Sequence, residues 1–270
     1  LIEINTGPMQ VAIGKRGIVT PRVIVDSREV LGGTVDAGFF VLQPGDRGGG
    51  HLPGEVDRFE IEERGPFRTL VRLRGKMVPP PGRPQQFGFE LALMAYAGQR
   101  SLRAQYTFIA LDGQPVYPVE RLGLRLTFAG EGKVGYRVDG GGGPHRGSWG
   151  AGTKCALHAF RGVDGDRYFF GDGVGRLRSS EHLPGRCSFR TGDAAIGVAI
   201  RELAKLGPGG YHFGWDKARV AAEVRFYDGA QKTLRLGAGR SRTHDVLWVF
   251  APPRAPAEEL HRELAAFQEP

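Results

Sequence analysis

The stretch Phe59–Ile109 constrains the fold most, because charged and apolar side chains alternate along both of its arms. In the first arm, Arg72 and Arg74 alternate with Val71 and Leu73. A repeat of two residues is typical of a β-strand with one wet and one buried face, whereas a helix repeats about every 3.6 residues. The alternation therefore predicts a β-sheet in this part of the chain.

Glycine and proline are spread along the whole chain rather than collected in one tract. The 270 residues include 43 glycines and 18 prolines, which favours many short strands joined by tight turns. Near the C-terminus, Ala257–Phe267 has the pattern of an amphipathic helix, with Leu260, Leu264 and Phe267 on one face. We therefore expect an all-β fold of two tandem antiparallel β-domains, barrel-like or sandwich, followed by a short C-terminal helix.

A glycine run interrupts the strand pattern near the middle of the chain. It extends over Asp139–Gly143 and is followed by Pro144. Such a run is costly to order within a strand and more often forms a linker or a mobile loop. The predicted division is an N-terminal β-domain at 1–143, a second β-sandwich-like domain at 144–256 and the helix at 257–270.

The positive charge of the chain bears on the kind of partner it binds. The net charge is +8 and the isoelectric point is near 9.8. The basic residues alternate along strands and are interleaved with Asp and Glu, which argues against a nucleic-acid site and favours an acidic polysaccharide as the partner of a diffuse positive field. There is no run of eighteen apolar residues, so no membrane span is predicted.

Two cysteines, Cys155 and Cys187, lie 32 residues apart, without a CxxC motif or the Cys/His spacing of a zinc site. In an exported protein a disulfide between them would stabilise the fold by roughly 2–4 kcal/mol. Two buried thiols are the alternative. The acidic loop Asp164–Asp166 lacks the residue order of a calcium loop, so neither a metal site nor a cofactor is predicted.

An aromatic cluster at Tyr211–Asp216 is the most site-like feature of the sequence. Tyr211 and Trp215 offer faces that stack on sugar rings, and His212 offers a hydrogen-bonding group for hydroxyls. Trp149 is a further candidate platform. The alternatives are that these aromatic rings fold back over the core and that Trp149 packs at the domain junction, and the sequence leaves both interpretations open.

Three segments resemble the exo-acting rhamnogalacturonan lyase-like family. They are Glu63-Arg-Gly-Pro-x-Arg68, Tyr96-Ala-Gly-x-x-x-Leu102-Arg103 and Gly239–Phe250. The first two are similar to that family's N-terminal β-domain, and the third is similar to the last strands of its second β-domain. The resemblance also assigns Ile196–Leu206, whose composition is mixed, to a strand. In that family a large helical catalytic domain follows, and its absence after Pro270 implies a module that does not act as a lyase by itself.

The sequence assigns no catalytic residue. His244 and Asp245 are adjacent and therefore point to opposite faces of a strand, so they cannot form two members of a triad. We expect His244 to tie down the start of its strand. No serine lies in a G-x-S-x-G elbow.

Three functions are compatible with these features. The first is an extracellular, carbohydrate-associated β-module that binds or positions an acidic polysaccharide. The second is a secreted subunit that assembles into a filament, sheath or surface layer through strand edges. The third, an active polysaccharide lyase, lacks an identifiable site. The start at Leu1 and the single asparagine, Asn5, are typical of a processed, exported protein from a GC-rich or thermophilic bacterium.

Overall fold

The protein, seen in a computed structural model, is described over residues 2–14, 22–31, 38–46, 50, 52–128, 133–140, 143–149, 155–162, 165–171, 176–179, 185–192, 194–203, 209–216, 219–229 and 233–268. In chain order the strands are β1 Ile2–Asn5, β2 Met9–Ile13, β3 Arg22–Val25, β4 Arg28–Leu31, β5 Gly38–Leu42, β6 Leu52–Arg64, β7 Arg68–Val78, β8 Phe87–Tyr96, β9 Ser101–Ala110, β10 Val116–Val119, β11 Arg121–Phe128, β12 Val134–Gly140, β13 Gly143–Trp149, β14 Cys155–Gly162, β15 Gly165–Gly171, β16 Arg176–Ser179, β17 Arg186–Arg190, β18 Ala195–Ile200, β19 Gly209–Asp216, β20 Arg219–Asp228, β21 Leu234–Gly237 and β22 Ser241–Ala251. One helix, α1, extends over Ala257–Gln268.

Two large sheets contain most of these strands. A nine-stranded sheet has the order β13-β12-β17-β18-β22-β9-β8-β7-β6, and a seven-stranded sheet has the order β16-β15-β14-β19-β20-β11-β5. The two smaller sheets are β1-β2-β3-β4 and β10-β21. The strand pairs that build the two large sheets are antiparallel, as in β8 with β9 and β19 with β20. The predicted all-β class with a short C-terminal helix is confirmed.

The two large sheets pack face to face around a common aromatic core. Phe226 of β20 lies with its ring centroid 5.7 Å from that of Tyr106 and 5.9 Å from that of Phe108, both on β9. The ring of His244 on β22 stacks on the same phenyl ring at 4.3 Å. Contacts of this kind between inner faces are typical of a β-sandwich.

The alternation that predicted the sheet is borne out on β7. Val71 and Leu73 are fully buried, whereas the guanidinium groups of Arg72 and Arg74 lie on the outer face. Arg74 Nε donates a hydrogen bond to Glu90 Oε2 on the neighbouring strand at 2.6 Å. One face of this sheet is therefore apolar and the other carries cross-strand ion pairs.

Helix α1 covers part of the outer face of the nine-stranded sheet. Leu260 and Leu264 pack in a second apolar cluster with side chains of β18 and β22. Gly197 of β18 permits this close approach, because a Cβ atom there would lie only 3.0 Å from Leu264 Cδ1. No helix of the described residues is both long and apolar enough to span a membrane.

The sheets are not divided after residue 143 as the glycine run predicted. Strand β9 from the first half pairs with β22 from the second, and β11 pairs with β20. The run itself continues strand β12 to Gly140, and β13 begins at Gly143 with Asp139 opposite Pro144. The physical reason is that glycine is also compatible with strand ends, so the run lies within a pair of neighbouring antiparallel strands and not between two separate sheets.

Candidate functional site

Six polar side chains meet on the outer face of the seven-stranded sheet, and we refer to them as the charged cluster. They are Arg121, Arg125, His212, Glu223, Arg225 and Asp228. In the register of the sheet, Glu223 of β20 lies opposite Arg125 of β11 on one side and opposite His212 of β19 on the other. Three adjacent strands therefore each contribute one side chain to a continuous polar row.

The position of the charged cluster follows from the alternation along β20. Ala222, Val224 and Phe226 are buried in the core between the sheets. Their neighbours Glu223 and Arg225 consequently point to the opposite face. The core thus fixes the direction of the polar side chains.

Each carboxylate of the charged cluster is held by two guanidinium groups. Arg225 donates from Nη2 to Glu223 Oε2 at 2.7 Å and from Nη1 to Asp228 Oδ2 at 2.6 Å. Arg125 donates from Nε to Glu223 Oε1 at 3.0 Å, and Arg121 Nε lies 3.5 Å from Asp228 Oδ1. This bridging holds the row in a defined geometry.

The protonation states of the cluster follow from its surroundings. Burial by itself would raise the pKa of Glu223, but Arg225 and Arg125 outweigh burial, and the net pKa is lowered. Burial lowers the pKa of His212, and Asp228, whose Oδ2 lies 3.5 Å from His212 Nε2, only partly opposes this. The row therefore combines an ionised carboxylate with a neutral imidazole at neutral pH.

The charged cluster presents hydrogen-bond donors and acceptors together at the surface. Guanidinium groups only donate, carboxylates only accept, and a neutral imidazole does both. Arg125 leaves 41% of its side chain exposed and His212 leaves 22% exposed. Such an arrangement suits a ligand with many hydroxyl groups and a negative charge. No group of three or more His, Cys, Asp and Glu side chains in the described part of the chain is placed to hold a metal ion.

The predicted binding residues on β19 separate by face. Tyr211 is fully buried, and its hydroxyl donates a hydrogen bond to the backbone oxygen of Gly185 at 2.5 Å. Burial also raises its pKa well above the usual value. Its ring therefore belongs to the core, as in the alternative in which the aromatic rings fold back. His212, the next residue, points outward into the charged cluster.

The two predicted tryptophans lie on different sheets. Trp215 is on β19, opposite Val220, and Trp149 is on β13, opposite Val134. Their side chains lie outside the described part of the chain, so their role in binding stays a prediction.

The two cysteines lie on different sheets. Cys187 is buried on β17 in the nine-stranded sheet, and Cys155 lies on β14 of the seven-stranded sheet. The side chain of Cys155 is not among those described, so the disulfide stays a prediction.

His244 and Asp245 point to opposite faces, as expected for neighbours on a strand. His244 is buried in the core, whereas the carboxylate of Asp245 accepts a hydrogen bond from Arg103 Nε at 2.9 Å on the outer face. The imidazole packs on Phe226 rather than tying down the strand start.

Sequence reasoning missed most of the charged cluster. The segment Glu223-Val-Arg225 has the same alternation as β7, and Arg121 and Arg125 flank an apolar run. These patterns predict outward-facing charges on each strand. They carry no information about which strands are neighbours.

Solved structures share this fold over nearly the whole chain. A galactose mutarotase-like protein from Lactobacillus casei has a TM-score of 0.54 and 13% identity, and the match covers 93% of this chain and 99% of that one. A GH36 α-galactosidase from Geobacillus stearothermophilus has a TM-score of 0.57 and 11% identity over 93% of this chain and 40% of that one. A TPR-domain containing protein from Parabacteroides distasonis has a TM-score of 0.57 and 12% identity over 96% of this chain and 50% of that one. This chain thus spans about half of that last protein, and identities this low show the fold alone.

No curated protein matches the sequence, but a family does. Residues 1–138 match the family described as the PcRGLX-like protein central beta sandwich domain. This range contains the segments Glu63–Arg68 and Tyr96–Arg103, so the predicted rhamnogalacturonan lyase-like resemblance is confirmed. The matched domain is the central one, whereas the motifs alone had assigned these segments to the N-terminal domain. The chain belongs to the PcRGLX-like family, and its residues 1–138 match the central β-sandwich domain of that family.

Proposed function

We propose that this chain is a carbohydrate-associated β-sandwich module that binds an acidic polysaccharide through the charged cluster. The observation that carries the proposal is the ordered row Arg125–Glu223–His212 on an outer sheet face. The fold supports it, because proteins named as a galactose mutarotase-like protein and an α-galactosidase share the same sandwich. An extracellular or cell-surface location belongs to the proposal and is checked by fractionating the native cells.

The charge of the cluster favours an acidic over a neutral saccharide. With His212 neutral, the three arginines exceed the two carboxylates by one positive charge, and the whole chain carries +8. Arg121 and Arg125 leave 37% and 41% of their side chains exposed. Guanidinium groups bind carboxylates such as those of uronic acids with two parallel hydrogen bonds.

The test is calorimetric titration with two matched ligands. One is a de-esterified galacturonate oligosaccharide, and the other is the same oligosaccharide with every carboxyl group methyl-esterified. We expect binding of the acidic ligand and weak or no binding of the ester. Equal affinity for both ligands would contradict recognition of the carboxylate. Formation of unsaturated products that absorb in the near ultraviolet would show that the protein is a lyase and not only a binding module.

A pair of variants locates the binding surface. Arg125→Gln should weaken binding about tenfold, the effect expected for loss of one charge-assisted hydrogen bond. Arg74→Gln is the matched control, because Arg74 is also exposed and ion-paired but lies on the other large sheet. Both variants change the net charge equally, so an equal loss of affinity in both would mean that only the overall field attracts the ligand.

Self-assembly is a second candidate function that one feature favours. Strand β6 is 13 residues long and forms an end of the nine-stranded sheet. Phe59 and Ile61 on this strand are 43% and 46% exposed, and Phe67 just beyond it is 80% exposed. A long edge strand with exposed apolar side chains can pair with a second copy. Light scattering over a range of protein concentrations tests self-assembly. The wild type should associate as the concentration rises, and Ile61→Lys should stay monomeric. A wild type that is monomeric at every concentration would exclude self-assembly.

A further inference from the structure

A hydrogen-bonded chain of serine, histidine and aspartate lies beneath helix α1. Ser188 Oγ on β17 is 2.8 Å from His261 Nε2 on α1, and His261 Nδ1 is 3.0 Å from Asp139 Oδ2 on β12. All three residues are at least nine-tenths buried. The order of atoms is that of a nucleophile, a general base and an orienting carboxylate.

The environment of Asp139 determines which nitrogen of His261 donates a hydrogen bond to it. Burial opposes ionisation of Asp139, but His261 and Arg137 outweigh it and lower its pKa to about 2. An ionised carboxylate accepts hydrogen bonds only, so His261 Nδ1 carries the proton and donates it. In the neutral imidazole, His261 Nε2 is then the acceptor for the hydroxyl of Ser188.

Ser188 also lines a small cavity in which an acyl group can lie. The cavity has a volume of about 170 Å³, and its lining includes Arg137, Arg146 and Arg190. Arg137 is directly opposite Ser188 in the sheet. Its Nη1 atom is buried, lies 3.5 Å from Glu258, and has no hydrogen-bond partner among the described residues. A donor of this kind beside the nucleophile can bind a developing oxyanion.

We infer that Ser188, His261 and Asp139 form a hydrolytic site for a short acyl ester, of about acetyl size, carried by an anionic molecule. The size of the cavity limits the acyl group. Three arginines line it, and Arg137 and Arg146 share the single carboxylate of Glu258, so positive charge remains in excess and favours a negatively charged carrier. The site lies on the outer face of the nine-stranded sheet, whereas the charged cluster lies on the seven-stranded sheet. The inference is therefore independent of saccharide binding at the charged cluster.

The reaction proceeds in two balanced steps. Ser188 Oγ attacks the carbonyl carbon while its proton passes to His261 Nε2, and the ester C–O bond then breaks as His261 returns that proton to the departing alcohol. Water next attacks the acyl-serine and gives a proton to His261. The acid leaves and Ser188 recovers its proton, so one ester and one water become one acid and one alcohol.

The site differs from a nucleophile elbow in one respect. Ser188 lies within a strand that is paired on both sides, with Arg137 and Gly197 as its partners. Its neighbouring backbone N–H groups belong to the sheet, so guanidinium groups replace backbone N–H groups as the donors to the oxyanion.

Covalent labelling tests the nucleophile directly in the full chain. Incubation with a small fluorophosphonate, followed by intact mass measurement and peptide mapping, should show one adduct per chain, on Ser188. Ser101→Ala is the matched control, because Ser101 is equally buried on the same sheet, and it should label as the wild type does. Absence of an adduct on Ser188 in the folded wild type would overturn the inference, whether or not any variant folds.

Turnover gives a second readout. The wild type should hydrolyse p-nitrophenyl acetate with an initial burst, and Ser188→Ala should lower kcat by about 10²-fold or more, with unchanged circular dichroism. His261→Gln should abolish the rise of the rate with pH that a histidine base produces. Equal hydrolysis by wild type and Ser188→Ala would show that the hydrogen-bonded chain only fastens helix α1 to the sheet.

Discussion

At the scale of single residues, His244 is a polar side chain that is buried in the apolar core. It is 1% exposed, stacks on Phe226, and neither ring nitrogen has a hydrogen-bond partner among the described residues. Burial, with a smaller contribution from Arg242, lowers its pKa to about 3. The imidazole is therefore neutral near pH 7 and packs as a flat side chain within the core.

The depressed pKa makes the stability of the wild type depend on pH. Below the ordinary pKa of 6.5 the unfolded chain binds a proton at His244 that the native state does not bind until about pH 3. The free energy of unfolding therefore decreases as the pH falls through this window. The decrease reaches about 1.4 kcal/mol per pH unit where His244 is protonated in the unfolded chain and neutral in the native state. His244→Leu should be at least as stable at pH 7 and lose less between pH 6.5 and 5, with a remainder from His212. Urea denaturation at several pH values measures this, and identical pH dependence in both proteins would contradict it.

At the scale of elements, helix α1 depends on the sheet for its stability. An isolated helix of this length is marginal in water. Here Arg201 Nη2 donates to the backbone oxygen of Phe267 at 2.9 Å, and Gln268 Nε2 donates to that of Ile200 at 3.0 Å. Leu260 and Leu264 add the apolar contact. The amphipathic pattern predicted the helix, and docking keeps it folded.

Removing the central apolar contact of the helix should destabilise the protein. Leu264 is fully buried, so Leu264→Ala should lower the free energy of unfolding by about 2–5 kcal/mol. Arg262→Ala, on the exposed side of the same helix, is the control and should change it by less than about 0.5 kcal/mol. Chemical denaturation compares the two variants, and similar losses in both would mean that α1 is not docked through Leu264.

The close approach of the helix to β18 predicts a coupling between two positions. Gly197→Val should push Leu264 away, since even a Cβ atom would lie 3.0 Å from its Cδ1. In the Leu264→Ala background the same substitution has room and should cost at least about 1 kcal/mol less, a non-additivity that a double-mutant cycle measures. If the stability changes of the two substitutions were additive, Gly197 and Leu264 would not be in contact, and the close approach of α1 to β18 would be contradicted.

At the scale of the whole molecule, the two halves of the chain share both large sheets. The pairs β9 with β22 and β11 with β20 each join a strand from before residue 143 to a strand from after it. Neither half can therefore complete its sheets alone, and we expect the molecule to unfold as one cooperative unit.

The tryptophans allow this cooperativity to be tested. Trp149, Trp215 and Trp248 all lie after residue 143, so their fluorescence reports on the second half, whereas far-ultraviolet circular dichroism reports on all strands. The two urea transitions should coincide, and the separate fragments 1–143 and 144–270 should not fold. If the circular dichroism showed two transitions and the fluorescence followed only one of them, the two halves would unfold independently, as two domains would.

The parts of this protein that the sequence determined by itself are local. Alternation between residues i and i+2 decides which side chain of Arg72 and Leu73 faces water, and a repeat near 3.6 decides that α1 is a helix. The family motifs lie within single strands or hairpins and were recognised for the same reason. His212 was found as a polar residue in an aromatic segment.

Only the tertiary structure decided which strands are neighbours. The bond between Arg125 and Glu223 spans 98 residues, and that between Asp139 and His261 spans 122. An alternating strand can pair with many others at similar local energy, and the choice among them depends on packing two sheets over one core. The charged cluster and the chain Ser188–His261–Asp139 exist only after that choice, which is why the sequence could supply their residues but not bring them together.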